Sequence, residues 1–126
     1  MKTTPIKRFE DIEAWQQARL LTRHVYQLTK INEFSRDYGL RDQIRRAGVS
    51  VMANIAEGDE SLTDALFLEY LGRAKASCGE VRSELYMALD AGYFPENQFS
   101  ELCELAEHCS GKIRNFMTYL ERNPRT

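Results

Sequence analysis

Tyr38–Gly58, YGLRDQIRRAGVSVMANIAEG, decides the fold. At about 100° per residue, Leu40, Ile44, Ala47, Val51, Asn54 and Ile55 fall on one side of a helix. Val49, Met52, Ala53 and Ala56 fall roughly opposite, beside Arg45. A half-solvated helix needs one apolar stripe. A second stripe of small or apolar residues predicts a second packing partner, either another helix or another subunit. The helix is expected from about Ser35 or Asp37 to Glu57, about 36–57, with Gly58 as its C′ residue.

Working outward, three more amphipathic segments flank it. The first covers about 10–31, with Trp15, Ala18, Leu21, Val25 and Leu28 at spacings of three and four, and Asp11 and Glu13 near its start. The third covers about 62–91; Ser61 and Asp64 resemble a capping box, and Gly92 is the expected stop. Its seam is Phe67, Leu71, Ala74, Cys78, Val81, Leu85 and Ala88, alternately four and three apart. The fourth covers about 95–122, opens at Pro95, and repeats the spacing with Phe99, Leu102, Ala106, Cys109, Ile113, Phe116 and Leu120. Strand signals are lacking. Short breaks between long helices predict an all-α, antiparallel, up-down-up-down four-helix bundle occupying 1–126 as one domain, with loose tails at Met1–Lys7 and Asn123–Thr126.

Composition narrows the class. Hydrophobic residues make up 43% of 126, enough for a core, and charged residues 29%. No stretch approaches the roughly 18 apolar residues of a membrane span, and the first residues lack the apolar run of a signal peptide. Cys78, Cys103 and Cys109 are an odd count within helical patterns and read as reduced thiols of a cytoplasmic protein. The net charge is −2, unevenly spread: residues 1–58 carry 10 Lys and Arg against 7 Asp and Glu, and the remainder 7 against 12. An anionic partner should prefer the first half.

The motifs F-E-D-I-E-A-W-Q-Q-A (Phe9–Ala18), V-Y-x-L-T (Val25–Thr29), Y-G-L-x-x-Q-x-R-R-A-x-V-S-V (Tyr38–Val51), N-I-A-E-G (Asn54–Gly58) and A-G-Y-F (Ala91–Phe94) occur in that order. Together they resemble the four-helix-bundle proteins encoded in intervening sequences of bacterial 23S ribosomal RNA genes. The resemblance spans nearly the whole chain. It departs at Met52-Ala53, where the family commonly has Pro beside Ser or Ala. The resemblance implies a four-helix bundle, ring-like homopentamers, no known enzymatic activity, and a suspected tie to ribosomal RNA. The accessory variability proteins of diversity-generating retroelements are similar in fold; they partner a reverse transcriptase and bind nucleic acid through basic surfaces.

Candidate residues follow, each with its competing structural role. Arg41, Arg45 and Arg46 could contact phosphates; a salt bridge from Asp42 to Arg46, or burial at a subunit contact, weighs more. Arg19, Arg23 and Lys30, with Arg8 if the helix extends back to residue 8, form a basic arc edged by Trp15 and Tyr26 that could hold RNA or be a solvated edge. Val49, Met52, Ala53 and Ala56 are the expected homo-oligomer contact. Leu68 and Tyr86 sit together off the third seam. Asn54 needs a hydrogen-bond partner, for which Gln43, Arg46, Ser50 and Glu57 stand in line.

No catalytic residues are expected, because Glu57 has no His, Lys or nucleophile alongside. No metal or cofactor is expected: neither His24 nor His108 follows a Glu by three, and Cys103, His108 and Cys109 do not converge on one helix face. The expected function is a self-associating helical scaffold associated with RNA. The alternative is a protein–protein adaptor, such as a reverse-transcriptase accessory subunit.

Overall fold

A computed structural model describes residues 6–125, and Met1–Pro5 and Thr126 of the expected loose tails lie outside them. Four helices carry the fold: α1 (Glu13–Leu28), α2 (Tyr38–Asp59), α3 (Asp64–Asp90) and α4 (Glu96–Arg122). Short 3-10 turns at Phe9–Asp11 and Asn32–Arg36 precede α1 and α2. No strand occurs among the described residues. Each helix packs on its two neighbours in a closed square, with α1 against both α2 and α4.

Named contacts give the direction of each helix. Gly58 meets Phe67, whereas Ser50, eight residues earlier, meets Ser77. The Phe67 ring lies tilted against Phe116, and the Tyr86 ring edge-on to Phe99. Glu13 reaches Lys112, and Leu28 shares a cleft with Leu102. Thr22 meets Gly48, and Thr29 meets Arg45. In every pair the partner number falls as the other rises, so consecutive helices run in opposite directions.

The core is built from the expected seams. All seven α3 positions from Phe67 to Ala88 are buried, as are Ile44, Ala47, Val51 and Ile55 of α2 and Leu102, Ala106, Cys109, Ile113 and Leu120 of α4. Apolar area at three-and-four spacing can leave water only if it faces the bundle axis, so periodicity alone picks these residues out.

Helix ends differ from expectation in several places. α1 begins at Glu13, because the chain turns at Ile12 (ψ 121°); Arg8, in extended backbone, and Lys30, in the turn after α1, therefore lie outside the helix. α3 starts at Asp64, not 62: the Thr63 hydroxyl accepts from the Leu66 N–H at 3.1 Å, and Leu62 is 94% exposed. Gly58 is not a C′ residue. α2 runs on to Asp59, and Gly58 is buried where α3 crosses, so that a Cβ there would stand 2.6 Å from Phe67 Cδ1. Gly92 does end α3, at φ +79°; the Tyr93 N–H bonds the Ala88 carbonyl at 3.1 Å and the Gly92 N–H the Leu89 carbonyl at 2.9 Å, a Schellman closure. The C-terminal tail is tied down at Arg125, whose backbone N–H donates to Asp64 at 3.0 Å and whose guanidinium lies over the Phe67 ring.

Candidate nucleic-acid interface and assembly face

The three arginines of α2 have three different surroundings. Arg41 is held inside the molecule: Nε donates to Asp42 Oδ1 at 2.9 Å and a second nitrogen to the Ser35 carbonyl at 3.0 Å, with the guanidinium over the Tyr38 ring. Asp42 thus pairs with Arg41, and no 4 Å ion pair joins it to Arg46. Its carboxyl is held below the usual range, mainly by the Arg41 hydrogen bond and also by the charges of Arg46 and Arg45. Arg45 is half-buried; Nε donates to Thr29 Oγ1 at 2.7 Å and the guanidinium covers the Tyr26 ring at 4.8 Å. Thr29 is itself fully buried, and its hydroxyl donates to the Val25 carbonyl at 2.8 Å. Arg46 is exposed and has no ion-pair partner within 4 Å among the described residues.

On α1, Arg19 and Arg23 are exposed, and Arg19 leans over Trp15 at 5.9 Å from the ring centre. Arg23 makes no ion pair among the described residues. Tyr26, Asp42, Arg45, Arg46, Val49 and Ser50 line a shallow open groove between α1 and α2. Tyr26 of α1 and Arg45 and Arg46 of α2 therefore meet along one groove, which separate readings of the two helices did not reveal.

Of the second stripe of α2, Val49 lines this groove. Val49 is 44% exposed, and Met52, Ala53 and Ala56 are half-buried, with Met52 touching the core. Asn54 is also half-buried; its amide donates to the Ser50 carbonyl at 2.8 Å and to Ser50 Oγ at 3.0 Å, and Ser50 in turn meets Ser77 of α3. Of the polar line proposed for Asn54, Ser50 supplies the partner. Glu57 is exposed. Leu68 and Tyr86 part company: Leu68 packs on the core, while Tyr86 sits edge-on to Phe99 at the surface.

Some polar residues were not anticipated. Glu84 is only 6% exposed, and neither carboxylate oxygen has a hydrogen-bond partner among the described residues. Burial pushes its carboxyl up to about 7, and the neighbouring Glu80 carboxylate adds to this, while Gln43 and Arg46 of α2 pull it back. A sequence signal existed: Glu84 stands three after Val81 and four before Ala88, on the edge of the α3 seam. Thr22 was likewise missed. Its buried hydroxyl lies 2.8 Å from the Ala18 carbonyl and 2.9 Å from that of Gly48, joining α1 to α2.

Cys109 lies in the core, where its thiol meets the Ala14 carbonyl at 4.0 Å, and His108 faces solvent. Among the described residues no three His, Cys, Asp or Glu side chains stand where they could share a metal ion. No helix of the described chain is long and apolar enough to cross a membrane.

The sequence profile of the family described as 23S rRNA-intervening sequence protein matches residues 10–115. No curated protein matches at a significant level. Among solved structures, the fold is similar to the crystal structure of a protein with unknown function from the S23 ribosomal protein family of Bacteroides thetaiotaomicron. The two align with a TM-score of 0.77 at 18% identity, over 84% of this chain and 96% of the other.

Proposed function

The chain belongs to the 23S rRNA-intervening sequence protein family, and from that premise we propose that it is a non-enzymatic, self-associating helical scaffold that works in the cytoplasm in association with ribosomal RNA. One observation carries the RNA part: Arg19 and Arg23 are exposed on α1, Arg19 lies over the Trp15 ring, and on α2 the exposed Arg46, in the α1–α2 groove, makes no ion pair among the described residues. Guanidinium groups next to an aromatic ring suit phosphates and unstacked bases together. Self-association is supported by the exposed Val49 and the half-buried Met52, Ala53 and Ala56, apolar surface that a monomer would leave wet. The resemblance makes a homopentamer the expected assembly.

The test is fluorescence anisotropy of the purified protein with a structured ribosomal RNA fragment, titrated over salt. Binding in the micromolar range or tighter that weakens as salt rises, and that is lost with Arg19→Glu plus Arg23→Glu, is the expected result. Absence of binding at low salt sinks the RNA reading. A second reading has its own support. Arg41 and Arg45 are engaged within the molecule, and the net charge is −2, which suits a protein–protein adaptor such as a reverse-transcriptase accessory subunit. Co-purification with a reverse transcriptase, without RNA binding, would select it.

A further inference from the structure

Glu84 is a sealed carboxylate with nothing built to receive its charge. It is 6% exposed, and both oxygens are buried without a hydrogen-bond partner among the described residues. Ionisation in such a place is strongly disfavoured unless a cation reaches the group. The helix register shows which cation is at hand. Ser50 of α2 meets Ser77 of α3 at 3.0 Å. The two helices are antiparallel, so two turns back along α2 and two turns on along α3 bring Gln43 opposite Glu84. Arg46 lies one turn from Gln43 on that side of α2, and Glu80 one turn from Glu84 on that side of α3. Helix α4 packs on the other flank of α3, where Arg82 and Tyr86 face it. The charges that bear on Glu84 are therefore Glu80, which disfavours its ionised form, and Arg46, which favours it. Both are exposed, and neither makes an ion pair within 4 Å among the described residues.

Arg46 is shared between two places, because it also lines the open α1–α2 groove with Tyr26, Arg45 and Val49. We propose that Glu84 and Arg46 form a proton-set latch on that groove. With Glu84 protonated, Arg46 is left to the groove and to an anionic partner there. With Glu84 ionised, the buried charge draws the guanidinium across to α3, and the groove loses a positive charge. The long, flexible arginine stem makes the two positions accessible to one side chain. Linkage makes the effect mutual: an anion that holds Arg46 in the groove leaves Glu84 protonated, so binding takes up a proton. Burial and the Glu80 carboxylate hold the Glu84 carboxyl up at about 7, which sets the latch near neutral pH. The identity of the anion rests on the RNA reading, to which the latch adds a control by pH.

The test has two arms, both on the full chain. In the first, without RNA, carbon-13 NMR follows the Glu84 side-chain carboxyl through pH in the parent and in Arg46→Gln. The titration midpoint should rise in the variant, because the cation that favours the ionised form is gone. Arg46 is exposed, so the variant keeps the fold. An unchanged midpoint overturns the latch, whatever RNA does. In the second, fluorescence anisotropy with the structured ribosomal RNA fragment compares the parent with Glu84→Gln on either side of neutral pH. From the acid to the alkaline side the parent should weaken roughly fivefold more than Glu84→Gln, the low end of coupling between linked sites. Comparing the two proteins at each pH cancels every other titrating group. Equal pH dependence in the two overturns the latch while RNA binding stands. If neither protein binds at any pH, the RNA reading falls, and the midpoint in the first arm alone decides the latch.

Discussion

The two faces of α2 obey different rules. Its inner face, from Ile44 through Ile55 to Gly58, is buried and so tight that Gly58 has no room for a methyl group. Its outer face, with Val49, Met52, Ala53 and Ala56, is half-open, and Val49 shares a groove with Arg45 and Arg46. Both are written in the same small and branched apolar alphabet. What separates them is whether a neighbouring helix of the same chain lies against them. Residue type therefore reports that a face wants a partner, and the fold reports whether the partner is already there.

The largest effect that would break this contrast is expected at Gly58. In Gly58→Ala the new Cβ meets the buried Phe67 ring at 2.6 Å and Tyr70 Cβ at 2.9 Å, the latter too near the backbone to move cheaply. Overpacking of this kind should cost about 3 kcal/mol in urea unfolding. A loss below about 0.5 kcal/mol would show that α2 and α3 can slide apart and that the inner face is no tighter than the outer.

Glu84 sharpens the comparison from the α3 side. Its folded-state pKa is raised from 4.5 to about 7, so the folded protein keeps a proton that the unfolded chain has released. The resulting stabilisation is complete below the ordinary carboxyl range. It declines as pH climbs from about 4.5 toward 7, by roughly 2 kcal/mol after allowance for solvent screening. Glu84→Gln should flatten this limb of the stability–pH curve. Parallel curves for the two proteins would mean that Glu84 is ionised in the fold.

Thr22→Val tests the α1–α2 contact, where a hydroxyl replaces apolar packing. Loss of the buried bond to the Gly48 carbonyl should cost about 1 kcal/mol by thermal or urea unfolding, because the shape is kept and one hydrogen bond disappears. An unchanged midpoint would leave Thr22 as a spacer only. The smallest effect belongs to the outer face. Val49→Thr, at a position 44% exposed, should shift the stability of the dilute, dissociated chain by under about 0.5 kcal/mol. A shift as large as that of Thr22→Val would place Val49 in the core's cooperative unit.

Legibility of the site was uneven for a physical reason. A single-helix reading found Arg19, Arg23, Arg41, Arg45 and Arg46, yet it assigned Asp42 to Arg46, four residues on, where the structure pairs it with Arg41 next door. Helical spacing states which pairs can meet and leaves open which of several arginines has a better engagement. Arg45 has one, in Tyr26 of α1 and in Thr29 just past its end, nineteen and sixteen residues away. Gly58 was misread because glycine serves both a helix stop and a close crossing; Gly92, with φ +79°, is the stop.

By itself the sequence determined the helical class, the seams and the order of the elements, since three-and-four periodicity fixes which side of each helix must leave water, whatever it packs on. Only the tertiary structure decided which arginines are tied and which make no ion pair among the described residues, and that Glu84 is sealed without a hydrogen-bond partner among them. Those properties belong to pairs of residues on different helices, and spacing along one helix carries no record of them.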